Sequence, residues 1–131
     1  MIVDSSAIIA ILRNEPAGAE LAHALAEGGL AKMSAATYVE TAAVVDRVGD
    51  PVLSRRLDEL LALAHIETVT FDARQADLAR AAYADFGRGS GHPARLNLGD
   101  CFSYALAKAT DEPLLFVGQD FIHTDLRPAM G

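Results

Sequence analysis

Short apolar runs alternate along this chain with longer segments whose apolar residues recur every three or four positions. The short runs are typical of buried strands and lie at residues 1–4, 30–33, 66–71 and 114–117. The longer segments between them are typical of helices that bury one face. This alternation predicts an α/β fold, a three-layer α/β/α sandwich in which helices cover both faces of a central parallel sheet.

Polar residues with capping side chains stand where several of the helices are expected to begin. They are Ser5 and Ser6, Ser34, Asp72 with Gln75, and Asn97 with Asp100. The Asn97–Asp100 pair fits a capping box, in which each side chain satisfies a backbone donor of the other residue. Asp100 is therefore placed in the first turn of a helix, where the helix dipole favours a carboxylate.

Length and composition fit one domain that spans residues 1–131, with 51% hydrophobic residues to build a single core. No apolar stretch is long enough for a transmembrane helix, and the first residues lack a signal-peptide pattern. We therefore expect a soluble, cytoplasmic protein with no membrane association. The single cysteine, Cys101, is expected to be a buried thiol.

The net charge of −7 argues against a broad basic surface for nucleic acid. The charge does not exclude a site in which bound metal neutralises carboxylates and then accepts a phosphate. One segment departs from the acidic balance: residues 87–95 are rich in glycine and contain Arg88, His92 and Arg95 but no acid. We expect this segment to be a flexible loop.

Four acidic residues stand where ligands bind in parallel α/β sheets, at the carboxyl ends of the strands. They are Asp4, Glu40, Asp100 and Asp120. Taken singly, each also fits a structural role, as a helix cap, an exposed helix residue, a dipole partner or a turn residue. Gathered together they would repel one another unless a cation lay between them, and oxygen ligands suit Mg²⁺ or Mn²⁺.

Four segments in this order resemble the PIN-domain ribonuclease toxins of the VapC family, from VapBC toxin–antitoxin modules. The segments are residues 1–7, 34–40, 96–105 and 114–121. The resemblance implies a metal-dependent endoribonuclease that cleaves RNA phosphodiester bonds. It also implies a homodimer and inhibition by a small VapB-like antitoxin protein.

The resemblance further implies roles for individual residues. Asp4 and Asp100 match direct ligands of Mg²⁺ or Mn²⁺, with Glu40 and Asp120 as supporting acids. Two more positions match the family, Ser5 as a hydroxyl that orders the site and Asp125 as a recurrent acid. The chain departs from the family at Val117, where a lysine is frequent, and at Gln119, where an acid or asparagine is common.

Arg88, His92 and Arg95 are candidates for holding the RNA backbone, and a plain solvated loop explains them equally well. Two other functions stay open. One is a catalytically inactive PIN-like binding module. The other is a receiver-type signalling domain that binds Mg²⁺, which would need a lysine after a late strand, whereas the last lysine is Lys108.

Overall fold

The computed structural model describes residues 1–130, which contain four short strands, six α-helices and a 3₁₀ turn. The strands are β1 (Ile2–Val3), β2 (Ala31–Ser34), β3 (Ile66–Val69) and β4 (Leu114–Leu115). The helices are α1 (Ser5–Leu12), α2 (Gly18–Glu27), α3 (Ala35–Arg47), α4 (Pro51–Leu63), α5 (Ala73–Phe86) and α6 (Leu98–Thr110). The 3₁₀ turn is Phe121–His123. No helix among these residues has the length and apolar character needed to cross a bilayer.

The four strands form one parallel sheet in the order β3-β2-β1-β4, which confirms the expected α/β class. Along the chain, β2 and then β3 are added on one side of β1, and β4 pairs with β1 on its other side. The strand order therefore reverses between β1 and β4, where Asp4 N donates to Leu115 O at 3.0 Å. A crevice at such a reversal is the usual ligand site in this class of sheet.

Helices cover both faces of the sheet because neighbouring strand residues point in opposite directions. Ile2 and Leu114 pack among residues of α5 and α6, whereas Val3 and Leu115 pack among residues of α1 to α4. All four side chains are fully buried. The three-layer arrangement expected from the alternating pattern is therefore present.

Two strands are shorter than their apolar runs. β1 stops at Val3 because the Asp4 side chain caps α1 by accepting from the backbone N–H of Ser6. β4 stops at Leu115, and Val117 N donates to Ser6 Oγ at 3.1 Å instead of to a strand. Hydrogen bonds of Ser6 thus connect the ends of β1 and β4, where further strand pairing would otherwise follow.

One local expectation was wrong: β3 is a half-exposed edge strand that ends at Val69, although the apolar run at 66–71 indicated a longer strand. At the start of α5, the Asp72 side chain caps the helix, whereas the side-chain amide of Gln75 donates to Thr70 O. Near the carboxyl end of the described residues, Pro128 forms a single bridge with Leu114.

The segment at 87–95 is braced rather than open. Arg88 N donates to Leu96 O and Leu96 N donates to Phe86 O, both at 2.9 Å, which closes the loop at its base. Inside the loop, Ser90 Oγ donates to Gly87 O and accepts from His92 N. Glycine content indicated a flexible loop, and these internal hydrogen bonds oppose such flexibility.

Candidate active site

Asp4 lies at the strand-order reversal and is held by three donors. Its side chain is only 2% exposed. Ser6 donates to Oδ2 through its backbone N–H at 3.1 Å and its hydroxyl at 2.7 Å, while the Ser103 hydroxyl donates to Oδ1 at 2.5 Å. The carboxylate therefore has one orientation fixed from two helices, α1 and α6.

The hydroxyl groups around Asp4 were not singled out from the sequence. Besides Ser6 and Ser103 they include Thr37, whose Oγ1 lies 3.3 Å from Ser103 Oγ in the buried contact between α3 and α6. Ser103 follows Asp100 by three residues and Thr37 precedes Glu40 by three, so each shares a helix face with an acid. That spacing was the available signal.

Glu40 projects from α3 onto the first turn of α6. A Cβ at Gly99 would overlap Oε2 of Glu40, so this approach requires a residue without a side chain at position 99. Burial raises the pKa of Glu40, and the charge of Asp4 raises it further. A hydrogen bond from the Ser5 side chain acts in the opposite direction, which places Ser5 beside Glu40.

Asp100 stands in the first turn of α6, and the expected capping box is present. Asn97 N donates to Asp100 Oδ2 at 3.0 Å, and Asp100 N donates to Asn97 Oδ1 at 2.8 Å. Burial is the largest cause that raises the pKa of Asp100 to about 7, and the hydrogen bond from the Asn97 backbone opposes the rise. The neighbouring carboxylates add to it, in the order Asp4, Asp120 and Glu40.

Asp4 and Glu40 thus lie close enough to Asp100 for their charges to raise its pKa, with Asp120 at their margin. Asp120 is exposed, and its charge acts on Asp100. It also lines a polar pocket of about 240 Å³ together with Arg88 and Arg95. The glycine-rich loop at residues 87–95 therefore borders these four acids, the acid cluster.

His92 does not join the two arginines at this pocket. Its Nδ1 accepts from Ala94 N at 3.1 Å, and its ring meets that of Phe86 edge-on with 4.9 Å between centroids. The ring braces the loop from inside.

Asp125 lies apart from the acid cluster, along the later turns of α6. Its Oδ1 accepts from the Tyr104 hydroxyl at 2.7 Å and its Oδ2 from Lys108 Nζ at 2.8 Å. Desolvation of Asp125 opposes these two hydrogen bonds, which together lower its pKa. Asp125 fastens the segment after the 3₁₀ turn to α6.

The acid cluster offers only oxygen ligands, the chemistry that Mg²⁺ and Mn²⁺ prefer. Within residues 1–130, no three acidic, histidine or cysteine side chains come together as a ready-made metal-binding group. Magnesium is commonly held by one or two carboxylates and several waters, so two direct ligands suffice for a fit.

Cys101 contributes no nucleophile. Its thiol is fully buried, and burial, followed by the charge of Asp100, raises its pKa to about 11. The thiolate that a nucleophile requires is therefore scarce at neutral pH.

Comparisons with known proteins identify the relatives of this chain. Residues 1–126 match the PIN domain family. Ribonuclease VapC28 of Mycobacterium tuberculosis is 58% identical over 130 residues, covering 99% of this chain and 98% of the relative. Ribonuclease VapC42 of the same species is 54% identical over 129 residues, covering 98% of each chain.

A solved structure has the same fold. The crystal structure of Mycobacterium tuberculosis VapC20, a sarcin–ricin loop cleaving toxin, has a TM-score of 0.70 and 16% identity to this chain. The similarity covers 97% of this chain and 98% of that one. From the family match and the identities to curated relatives over nearly the whole chain, we conclude that the chain belongs to the PIN-domain family of VapC ribonucleases.

Proposed function

We propose that the protein is an endoribonuclease toxin that hydrolyses RNA with the help of Mg²⁺ or Mn²⁺, as a single domain over residues 1–131. The observation that carries this proposal is that Asp4, Glu40 and Asp120 lie close enough to Asp100, beside the strand-order reversal, for their charges to raise its pKa. Such a cluster is stable in its ionised form only with a positive partner. The activity of the curated relatives supports RNA as the substrate.

In this proposal Asp4 and Asp100 hold the cation, and Glu40 and Asp120 support it directly or through water. When bound, the ion supplies Lewis-acid activation of water and neutralises charge that develops on the phosphate. The fixed hydrogen bonds of Asp4 orient one ligand before substrate arrives, which is the main requirement for electrostatic catalysis. Ser5, whose side chain opposes the rise in the pKa of Glu40, has the role of ordering the site in this proposal.

The expected products carry a 5′-phosphate and a 3′-hydroxyl. No His, Cys or Lys side chain within residues 1–130 belongs to the acid cluster described above. A cluster made only of carboxylates suits attack by water rather than activation of the RNA 2′-hydroxyl. End-labelling of the fragments distinguishes the two outcomes.

The proposal is tested by titrating Mg²⁺ and Mn²⁺ into a cleavage assay on total RNA, with Asp4→Asn and Asp100→Asn beside the wild type. We expect wild-type cleavage that requires the metal and disappears with chelator, and a loss of at least about 100-fold in each variant. Asp58→Asn, an exposed acid on α4, is the matched control and should keep full activity. Metal-dependent cleavage that survives in both site variants would exclude this assignment.

The same assay separates the enzyme from an inactive PIN-like binding module. A protein that binds RNA but leaves it intact at every metal concentration would be such a module. Mapping 5′ ends of cellular RNA after brief expression would then show no new ends.

We further propose that the protein acts in the cytoplasm as a homodimer and is inhibited by a VapB-like antitoxin. An arginine of the antitoxin facing Asp4 and Asp100 would match the negative charge of the cluster. Light scattering of the free protein tests the dimer. A structure of the complex with no cationic group at the acids would contradict the inhibitory contact.

A further inference from the structure

Arg88, Arg95 and Asp120 line one polar pocket at the margin of the acid cluster. We propose that this pocket is a phosphate subsite, in which both guanidinium groups hold a single backbone phosphate of the RNA next to the one that is cleaved. The inference rests on the proposed function and adds to it where the substrate is held.

The charges of the pocket favour an anion. Neither Arg88 nor Arg95 forms an ion pair among residues 1–130, although Asp120 shares the pocket with them. Two guanidinium groups and one carboxylate leave one net positive charge, in a chain whose overall charge is −7. Guanidinium groups match phosphate oxygens with paired N–H donors, so a phosphodiester fits this excess charge.

Hydrogen bonds and buried neighbours brace the backbone that carries the two arginines. Arg88 is tied by its backbone N–H to Leu96 O at the base of the loop. Arg95 stands between Ala94 and Leu96, which are both fully buried, and its backbone φ is +50°. A side chain presented from such a fixed position loses less entropy on binding than one on an open loop.

His92 has a different part in this arrangement. Because its Nδ1 accepts the Ala94 N–H next to Arg95, the ring braces the loop, and His92 is not among the residues that line the pocket. The phosphate subsite therefore consists of two of the three basic residues in the loop.

The location of the pocket explains why it would serve a neighbouring phosphate. Asp120 follows β4 and its charge reaches Asp100, whose helix starts one residue after Asn97 at the end of the loop. Asp120 therefore lines the subsite and also belongs to the acid cluster. Contacts to a phosphate carry no base sequence, so the subsite positions RNA of any sequence.

The decisive experiment measures RNA binding against salt concentration. The protein is the full chain with Asp100→Asn to prevent cleavage, and the probe is a labelled single-stranded RNA spanning a cleavage site mapped with the wild type. Arg88→Gln, Arg95→Gln and the double variant are compared. Arg13→Gln is the matched control, because Arg13 follows the last turn of α1, at the end of the helix away from Asp4.

We expect each single variant to bind RNA about tenfold more weakly, the loss of one charge-assisted contact. Because the remaining arginine still neutralises the shared phosphate, the slope of log affinity against log salt should stay unchanged in the single variants. In the double variant the slope should become less steep by about 0.7, the value for one phosphate on a single strand. A decrease in each single variant would instead mean two separate phosphates and would overturn the shared subsite.

Kinetics of the otherwise wild-type enzyme provide a second readout. The arginine variants should raise KM with kcat unchanged, since the subsite binds ground state and transition state alike. In the Arg95→Gln background, Arg88→Lys keeps one positive charge at the subsite and should keep the salt slope that Arg88→Gln lowers there, which separates loss of charge from loss of folding. If the wild type cuts no RNA, the proposed function and this inference both fall. If it cuts RNA while the double variant binds as tightly as Arg13→Gln, the inference alone is refuted.

Discussion

The missing side chain of Gly99 decides where Glu40 can stand. A Cβ at position 99 would overlap the Glu40 carboxylate, whose own backbone on α3 is fixed by packing against α6. We therefore expect Gly99→Ala to displace the carboxylate and to lower RNA cleavage by at least about tenfold, as misplacement of a supporting group does. Steady-state cleavage kinetics measure the loss.

A double-mutant cycle distinguishes this effect from a general loss of folding. In a Glu40→Ala background the steric conflict disappears, so Gly99→Ala should cost no further activity. It should then stabilise α6 by about 0.5–1 kcal/mol, because alanine favours a helix over glycine. An equal loss of cleavage in both backgrounds would contradict the contact.

The pKa of Asp100 predicts how stability changes with pH. Its value of about 7 in the folded protein exceeds the ordinary value of 3.8, so between these values the folded state binds more protons than the unfolded state. The free energy of unfolding should therefore fall as the pH rises through this range. Asp100→Asn retains a side-chain oxygen for the cap and should make the pH dependence less steep.

Urea unfolding with chelator present, at about pH 5 and about pH 7.5, measures this difference. Glu112 does not interfere. Desolvation opposes its hydrogen bonds from Lys32 and the amino terminus, but those bonds lower its pKa to about 2, so it titrates below this window. An identical change in wild type and variant would show that Asp100 is not the responsible group.

At the residue scale, the sequence predicted what is local. The Asn97–Asp100 cap depends on residues three apart, and its spacing alone indicates it. The hydrogen bond from Ser103 to Asp4 joins residues 99 positions apart, so no short-range pattern contains it. Only the packing of α6 against β1 creates that contact.

At the element scale, the segment after the 3₁₀ turn is held to α6 through Asp125. Tyr104→Phe removes the hydroxyl that donates to Asp125 and should cost about 0.5–1.5 kcal/mol of the free energy of unfolding. Backbone amides of 121–126 should exchange hydrogen faster, while those of α1 stay protected. Hydrogen-exchange mass spectrometry provides the measurement.

Tyr83→Phe is the matched control for this substitution, because Tyr83 lies on the exposed side of α5. It should leave both exchange and stability unchanged. Equal exchange of 121–126 in the two variants would show that the Tyr104 hydroxyl does not secure the segment.

Element types followed from the sequence more readily than element lengths. The helices were predicted because their apolar positions repeat over several turns. β1 and β4 have only two residues each, since Ser6 takes over the polar groups just beyond them. Apolar composition continues past both ends and does not reveal where pairing stops.

At the scale of the whole molecule, the order of the strands gives four dispersed acids a common location. Asp4 and Asp120 follow the two strands that flank the reversal, and α3 and α6 direct Glu40 and Asp100 toward it. The alternating pattern predicted the parallel sheet but contains no information on strand order. The orientation of each carboxylate was likewise beyond the sequence, because it depends on hydroxyl groups from other elements.

The central claim is that these acids form one site for a divalent cation, and calorimetric titration of Mn²⁺ into the RNA-free protein tests it most directly. Wild type and the Asp58→Asn control should bind the ion with equal affinity. Asp4→Asn and Asp100→Asn should each weaken binding by at least about tenfold, since each removes one charged ligand. Unchanged Mn²⁺ affinity in both site variants would contradict the claim.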